Sequence, residues 1–344
     1  MTSRRFTSHR RSFLTSSVGI ATVAAVGPPV RALGQQATPA ATPVAVEPPD
    51  MTGATYEFQL GSFTCWSVSD GANAGPFVKL IVFGATPDEE EEAIIRETGI
   101  DLSQLVSQHT STVIDTGSEL VLVDTGAGAP GLPETGILAD NLRRMGIQPG
   151  EIDMVVLTHG HPDHIGGTVT ATGNPLYSNA RYVMAQEEWE FWTDPVRVEE
   201  EAVPADFLET FLATVDRALL PLEGAIELVG YGEELLPGIT TVDARGHTPG
   251  HMGLMVESEG EQLWVMGDAA LNPIDLPYPE VIGAPDINPE QVIETRRRLF
   301  AEIAGSGNMA VFNHFHPFPS LGLIESEGDA WAWLPIEVED DAEG

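Results

Sequence analysis

Basic residues and cysteine are scarce in this 344-residue sequence, and each scarcity excludes a class of function. Lysine and arginine number 16 against 52 aspartates and glutamates, which gives a formal net charge of −36. Such a surface repels phosphate backbones and anionic lipids, so we expect neither nucleic-acid binding nor stable membrane association. The single cysteine, Cys65, can neither close an intrachain disulfide nor form a thiolate metal site on its own.

Internal repeats are also missing, and the only extended apolar stretch lies near the N-terminus. It follows the pair Arg10 and Arg11 and ends in small residues near position 34. Basic residues, a weakly apolar middle and small residues in this order are typical of an export signal, and the arginine pair indicates the twin-arginine route. We therefore predict a signal peptide over residues 1–34, with a disordered basic tail as the alternative, and a periplasmic, cell-surface or extracellular location. Residues 35–50, rich in alanine, threonine and proline, are expected to be a linker.

The rest of the chain alternates β-rich and helical segments, which predicts one mixed α/β domain over residues 51–335, followed by an acidic tail over residues 336–344. The strand over residues 154–157 is apolar throughout, so we expect it to be buried on both faces. The other predicted strands cover residues 63–68, 78–83, 112–114 and 120–123.

Helices are predicted in three places. One starts at Pro87, with the Thr86 hydroxyl as its cap and the acidic residues 88–92 near the positive end of its dipole. The other two cover residues 137–145 and 289–304.

Seven of the nine histidines fall in three short clusters, and these clusters carry the chemistry. The first is H-G-H-P-D-H at residues 159–164, directly after the apolar strand. Gly160 and Pro162 disfavour a regular helix there, so we expect a tight loop with converging side chains. Three imidazoles and a carboxylate within this segment supply the mixture of nitrogen and oxygen ligands that suits Zn²⁺ or a similar cation.

Three later segments have the same form, in which an apolar strand delivers candidate ligands at its end. Because α/β sheets present reactive groups at strand ends, we expect these side chains to meet the 159–164 loop. They are His247 and His251 in G-H-T-P-G-H, Asp268 in W-V-M-G-D, and His314 and His316 in N-H-F-H-P-F-P.

In these motifs the sequence resembles the metallo-β-lactamase superfamily of dinuclear metallohydrolases. The V-D-T-G turn at residues 123–126 belongs to the same pattern. The resemblance is closer to one branch, the methyl parathion hydrolase-like and lactonase-like proteins, through S-D-G at 69–71, M-G-I-Q-P at 145–149 and P-F-P at 317–319. It covers residues 60–325 and implies a single catalytic domain folded as a four-layer αβ/βα sandwich.

The resemblance also implies two divalent cations, with zinc favoured and manganese, iron or cobalt as other options. The implied ligands are His159, His161 and His247 for one cation, Asp163, His164 and a C-terminal histidine for the other, and Asp268 as the bridge. Besides its role as a ligand, Asp163 would face the bridging water and pass a proton to the leaving group.

Four positions are less determined. The C-terminal ligand stays open between His314, which we favour because it keeps its phenylalanine neighbour, and His316. Asp124 is expected to orient a ligand or bound water, or else to cap a turn. His251 is expected to support a ligand or to pack, because the superfamily uses the first histidine of that segment.

The implied chemistry is hydrolysis of a small ester, lactone or phosphotriester by a hydroxide that bridges the two cations. A neutral substrate suits the acidic charge. Leu271, where lactonases often have tyrosine, speaks slightly against a lactone. Residues 189–192 (W-E-F-W) are expected in the core rather than in a pocket wall. An iron-dependent redox member of the superfamily and a non-catalytic metal-binding surface protein stay as alternatives, and a homodimer stays open.

Overall fold

The computed structural model describes residues 46–128, 134–200 and 205–338. The predicted signal peptide (1–34) lies outside the described residues, as do most of the expected linker (35–50) and most of the acidic tail (336–344). Within the described ranges, no helix is both long enough and apolar enough to cross a membrane.

The first of two seven-stranded mixed sheets contains its strands in chain order. The first four strands pair antiparallel, and the fourth to seventh pair parallel. The strands are β1 (Thr55–Leu60), β2 (Phe63–Ala74), β3 (Val106–Asp115), β4 (Leu120–Val123), β5 (Met154–Leu157), β6 (Arg181–Ala185) and β7 (Ile226–Val229).

The second sheet also keeps chain order, and its fourth and fifth strands are its parallel pair among the described residues. The remaining neighbours pair antiparallel. The strands are β8 (Glu234–Leu236), β9 (Ile239–Asp243), β10 (Met252–Ser258), β11 (Glu261–Val265), β12 (Met309–Val311), β13 (Leu321–Glu327) and β14 (Ala330–Pro335).

Helices pack on the outer face of each sheet. The helices are α1 (Pro76–Phe83), α2 (Asp88–Thr98), α3 (Leu138–Arg144), α4 (Pro162–Ile165), α5 (Gln186–Trp192), α6 (Pro195–Glu200), α7 (Ala205–Thr214) and α8 (Pro289–Ser306). Helices α3, α5, α6 and α7 pack on the first sheet and α8 on the second, while α1 and α2 pack together in a separate cluster.

Three apolar clusters separate the layers. The alternation along β5 shows the arrangement, because Val156 belongs to the cluster between the sheets while Val155 and Leu157 face α3, α5 and α7. The third cluster lies between the second sheet and α8, where Leu299 and Phe300 are fully buried. Period-two burial on both faces of a strand requires a layer on each side, so the αβ/βα sandwich predicted from the sequence is confirmed.

Most predicted elements are present. The strands predicted at 120–123 and 154–157 coincide with β4 and β5, and the helix predicted at 289–304 is α8, extended by one half-turn to Ser306. The helix predicted over 137–145 is present as the shorter α3, and the strands predicted at 63–68 and 112–114 lie within β2 and β3.

Two predictions near the cavity described below were wrong. Residues 78–83 form the end of α1 and not a strand, because Pro76 starts a helix that buries Val78 and Val82 on one face. Thr86 does not cap α2, which begins after Pro87. Its hydroxyl instead donates to the carbonyl of Ile282.

Candidate metal centre

The predicted ligands come from loops that follow four strands of the two sheets. Residues 159–164 follow β5, His247 follows β9, Asp268 follows β11 and His314 follows β12. The expectation that 159–164 contains no helix was wrong for its second half, because Pro162 is the first residue of α4. Proline is tolerated there since the first backbone N–H of a helix has no partner to lose.

His159, His161, His247 and Asp268 form what we call the first group, and all four are buried. One ligand atom from each lies within 4.8 Å of the others. The Nε2 atom of His247 is 2.9 Å from Nδ1 of His161 and 3.3 Å from Oδ2 of Asp268. These separations fit atoms that surround one cation.

Asp163, His164, His314 and Asp268 form what we call the second group. Oδ2 of Asp268 is 3.0 Å from Nε2 of His314 and 3.4 Å from Nε2 of His164. Oδ2 of Asp163 is 3.4 Å from Nε2 of His314 and 3.7 Å from Nε2 of His164. Asp268 therefore lies between the two groups, in the position expected of a bridging carboxylate.

The donor atoms that face the centre fit a pair of cations. Nε2 of His159, Nε2 of His164 and Oδ1 of Asp268 are buried and have no hydrogen-bond partner among the described residues. Buried polar atoms without partners are costly, and a cation would satisfy all three. Imidazole nitrogen together with carboxylate oxygen is also the ligand chemistry that Zn²⁺ accepts.

Hydrogen bonds on the side away from the centre assign the tautomers of three of the histidine rings. Nδ1–H of His164 donates to Asp124 at 2.8 Å, and Nδ1–H of His314 donates to the carbonyl of Gln108 at 2.7 Å. Nδ1–H of His159 donates to the Thr158 hydroxyl at 3.0 Å. In each case Nε2 presents its lone pair to the centre, as a metal ligand must.

Asp124 accepts hydrogen bonds from three directions beneath the centre. Its partners are the backbone and hydroxyl of Thr158, Nδ1–H of His164 and the amide of Asn313. Its backbone has a φ of 62°, a strained value for aspartate. The carboxylate therefore orients His164, in line with the first of its two expected roles.

Asp286 was not predicted, and it supports the first group. Its Oδ1 accepts from Nδ1–H of His247 at 2.7 Å, and its Oδ2 lies 3.5 Å from the buried guanidinium of Arg296. Arg296 also pairs with Asp275 at 3.3 Å. No motif surrounds Asp286, and Arg296 is one of three adjacent arginines in a helix, so the sequence carried no signal for either.

Glu188 was also missed, and it joins two ligand-bearing loops. Fully buried on α5, it accepts hydrogen bonds from the backbone of Gly160 and from the hydroxyl of Thr248, each at 2.8 Å. It accepts further bonds from the backbone of Gly250 and the indole of Trp192. The carboxylate thus fixes the 159–164 loop against the segment that carries His247.

Two of the predicted histidines, His251 and His316, lie outside both groups and have other partners. His251 donates from Nδ1 to the carbonyl of Ala244 and accepts at Nε2 from the backbone N–H of Asp268, so both ring nitrogens are used. Nδ1 of His316 lies 3.0 Å from the side-chain nitrogen of Gln108. His251 therefore positions Asp268, and of the two C-terminal histidines the structure brings His314 into the cluster.

Burial and charge set the protonation of the first group. Burial lowers the pKa of His159 and of His161 well below the usual value, so both rings are neutral, the form that binds cations. Burial would also lower the pKa of His247, but hydrogen bonds to Asp268 and Asp286 raise it to about 9.

The two carboxylates of the second group are held ionised. Burial would raise the pKa of Asp163 and of Asp268, but the surrounding imidazoles lower both well below the usual value. His164 and then His109 contribute most to the lowered pKa at Asp163, and His314 and then His164 at Asp268. In return the carboxylates raise the pKa of His164 and His314 against the effect of burial. The cluster attracts positive charge, which divalent cations would supply.

A cavity of about 250 Å³ borders both groups, the second through Asp163 and His314, the first through His161, and both through Asp268. His109 also lies among these polar lining residues, and Leu271 lies on the wall. The other apolar lining residues are Phe77, Val78, Ile81, Pro162, Phe207, Phe211 and Pro285. A molecule bound here would place a polar group at the centre and an apolar portion between the phenylalanines.

The aromatic residues at 189–192 do not line this cavity. Phe191 and Trp192 are buried in the apolar cluster beneath the first sheet, and Trp189 packs against the same cluster. The expectation that they belong to the core is confirmed. Trp192 also explains Gly160, since a Cβ atom there would lie 2.3 Å from the indole ring.

Comparisons with known proteins agree with this geometry. The model of the Metallo-beta-lactamase superfamily matches residues 105–314, more than half of the chain. Among curated proteins, N-acyl homoserine lactonases of Bacillus sp and Bacillus cereus are 24% and 25% identical over 196 and 194 residues. Each of these two matches covers 56% of this chain and 65% of the relative's length.

Two solved structures have the same fold. The hydrolase AbOPH of the beta-lactamase superfamily is 27% identical with a TM-score of 0.73, and the match covers 83% of this chain and 98% of that one. AidC, a dizinc quorum-quenching lactonase in complex with a product, N-hexanoyl-L-homoserine, is 22% identical with a TM-score of 0.75. That match covers 85% of this chain and 100% of AidC.

Proposed function

The chain belongs to the metallo-beta-lactamase superfamily, and we propose that it is an exported hydrolase that uses two divalent cations, with zinc favoured, to cleave an ester or lactone bond of a small neutral molecule. One observation carries the proposal: two groups of buried histidines and aspartates share Asp268 at the polar end of an apolar cavity. The similarity to lactonases and to a hydrolase of known structure supports the same class of reaction.

The residues would divide the work as follows. A pair of bound cations supplies activated water at neutral pH and a Lewis acid for the scissile carbonyl. Asp163 is the least buried member of the two groups, with 14% of its side chain exposed, and it lies on the cavity wall. We assign it the relay of a proton: its ionised carboxylate would accept the proton that the attacking water releases and pass it to the leaving oxygen, because it is next to the place where the substrate enters.

The cavity favours a substrate with an apolar chain. Phe77, Phe207 and Phe211 offer aromatic surface, while the polar groups are gathered at one end. An apolar chain that binds there would be transferred out of water, and it would also keep water away from the centre. A net charge of −36 gives no long-range attraction for anions, so a neutral ester or lactone is favoured over a charged one. Leu271 supplies no hydroxyl, so the carbonyl must find its hydrogen-bond donors elsewhere.

Turnover of a substrate panel tests the proposal. The panel holds lactones and p-nitrophenyl esters with acyl chains of two to twelve carbons and a neutral phosphotriester, each assayed with the zinc-loaded full chain. We expect hydrolysis of lactones or esters that a chelator abolishes and that Zn²⁺ or Mn²⁺ restores. If the metal-loaded protein cleaves no member of the panel, the proposal is refuted; if it cleaves the phosphotriester best, the substrate class is wrong.

Export rests on residues 1–34 and has its own test. Replacement of Arg10 and Arg11 by lysine keeps the charge but removes the paired guanidinium groups that identify a twin-arginine signal. We expect the parent protein outside the cytoplasm and the double variant retained within it. Equal export of both would refute the twin-arginine assignment, and retention of both would refute export.

A further inference from the structure

His109 is a buried histidine that the superfamily motifs do not include. It lies on β3, is 6% exposed and contributes to the polar end of the cavity beside Asp163 and His314. Its ring centroid is 4.8 Å from that of His314, and the two rings are nearly perpendicular. A buried imidazole at this place needs partners for both of its nitrogens.

One nitrogen of His109 has such a partner. Nε2 lies 2.8 Å from Oδ1 of Asn73, so Nε2–H donates to the amide oxygen. In a neutral imidazole the other nitrogen then carries a lone pair, so Nδ1 of His109 is an acceptor. Hydrogen bonds to the second nitrogen orient His164 and His314 toward the centre in the same way.

The other nitrogen faces the second group without a hydrogen bond. Nδ1 of His109 is buried and lies 3.2 Å from Oδ2 of Asp163, but the pair does not have hydrogen-bond geometry. One ring nitrogen of His109, one carboxylate oxygen of Asp163 and one ring nitrogen of His314 all lie within 4.8 Å of one another, and His164 and Asp268 form an adjoining set with the same His314. Two lone-pair atoms this close repel each other unless an electrophile lies between them.

The separation suits a shared cation. Two ligands with bonds of about 2.1 Å to one cation are 3.2 Å apart when the angle between them is about 100°, within the range of common coordination geometries. A proton shared between the same two atoms would instead require a nearly linear hydrogen bond. Nδ1 of His109 has no hydrogen-bond partner, and its approach to Oδ2 of Asp163 is not linear; both observations favour a shared metal over a shared proton.

We propose that His109 is an additional ligand of the cation held by the second group, which gives that cation five protein ligands against four for the first. This inference rests on the two-cation centre of the proposed function. Four protein ligands of nitrogen and oxygen would suit Zn²⁺ in the first position. Five ligands with oxygen among them favour a cation that accepts higher coordination, such as Mn²⁺, Fe²⁺ or Co²⁺, in the second.

Metal titration of the metal-free full chain tests the proposal without relying on activity. The variant His109→Gln keeps an amide that reaches Asn73 but lacks the ring nitrogen at the Nδ1 position. Binding of Co²⁺ is measured against a chromophoric chelator, and the visible spectrum of each bound equivalent is recorded. We expect unchanged affinity for the first equivalent and an affinity for the second that falls by about 100-fold, the upper end of the loss when a contact to a ligand is removed.

The spectrum separates a ligand from a supporting residue. Loss of a ligand lowers the coordination number, so the absorption of the second Co²⁺ should become stronger per ion in His109→Gln. A weaker second site with an unchanged spectrum would overturn the proposal, because His109 would then act only through Asp163. Equal affinity and an equal spectrum would overturn it as well.

Two controls complete the experiment. His316→Gln changes a neighbouring histidine that lies outside both groups and should leave both equivalents unchanged. His109→Asn places an amide near the Nδ1 position and serves as the second variant if His109→Gln is poorly folded. We expect it to recover part of the affinity for the second cation. A folded His109→Asn protein without that recovery would count against the proposal. A parent protein that binds fewer than two cations would refute the proposed function first, which distinguishes the two failures.

Discussion

The two groups of the centre share Asp268 but differ in what surrounds them. Around the first group the partners are other buried side chains, with Asp286 behind His247 and Glu188 between the two loops. Both groups border the cavity, but the first has only His161 and the shared Asp268 there, whereas the second adds Asp163, which is partly exposed, and His314. The first group is therefore the more enclosed of the two, and the second has the larger share of the cavity wall.

This difference follows from the order of the strands. The first group takes its members from β5, β9 and β11, deep in the edge where the two sheets meet, and α5 covers it from outside. The second group takes His314 from the segment after β12, and the cavity separates it from α1 and α7. The same donor chemistry is thus enclosed to different degrees according to which layer covers it.

Replacement of the shared carboxylate should have the largest effect, because it breaks both groups at once. Asp268→Asn keeps the shape of the side chain but removes the negative charge and one of the two oxygen ligands. We expect loss of at least one bound cation and hydrolysis reduced to the buffer background, measured by metal analysis and turnover. The exposed Asp140→Asn is the matched control. Two cations and ordinary turnover in Asp268→Asn would contradict the bridging role.

Removal of the cations should come next, as a loss of stability. A ligand that binds only the folded state stabilises it by about 4 kcal/mol when present at a thousand times its dissociation constant. We expect a chelator to lower Tm and zinc to restore it, and thermal unfolding measures both changes. The second cation should leave first, because three of the four members of its group border the cavity, against two of four in the first group. Simultaneous loss of both at every chelator concentration would contradict the distinction between the groups.

Glu188→Gln should weaken the first group selectively. The replacement changes one carboxylate oxygen, which accepts hydrogen bonds, into an amide NH₂ group, which donates them. Because the four partners of Glu188 are all donors, at least one buried group loses its hydrogen bond, and we expect the free energy of unfolding to fall by about 1–3 kcal/mol. Because the carboxylate aligns the loops of His161 and His247, we expect the affinity for the first cation to fall by about 10-fold to 100-fold. Denaturant unfolding and metal titration measure the two effects. An equal fall at both cations would show that Glu188 serves the fold in general.

Phe211→Ala should change the substrate preference more than the metal content, although the Phe211 ring also packs against that of His161, with the ring centroids 4.8 Å apart. Removal of the ring shortens the apolar contact available to a long acyl chain, so we expect kcat/KM for long-chain substrates to fall by about 10-fold to 100-fold, equivalent to ~1.5–3 kcal/mol of lost burial. Short-chain substrates should change little. A parallel loss for all chain lengths would place Phe211 outside the acyl-binding wall, and the metal content of the variant serves as its control.

The sequence predicted the groups well because their members stand in dense local motifs. The cluster at 159–164 and the glycine before His247 fix a spacing that few other sites share, and the apolar strand β5 located the cluster at a sheet edge. The prediction of a strand over Val78–Phe83 failed because a short apolar run does not distinguish a strand from a buried helix, and only the tertiary packing decides between them.

Three residues around the centre could not be predicted for a physical reason. Glu188, Asp286 and His109 lie far in sequence from the ligand-bearing segments that they contact, and none of them stands in a motif. A buried carboxylate looks like any surface acid until the fold removes it from water. Long-range hydrogen bonds of this kind depend on how the layers pack, which a local pattern does not encode.

The smallest effect should come from the histidine that sequence reasoning left open. His316→Gln removes a ring whose Nδ1 lies beside Gln108, outside both groups, whereas His314→Gln removes Nε2 from its place 3.0 Å from Asp268. We expect metal analysis to give two cations for His316→Gln and about one for His314→Gln. Because the two residues are separated only by Phe315, any general disturbance of this segment would affect both variants, so a difference between them isolates the ligand. Loss of a cation in His316→Gln alone would reverse the assignment.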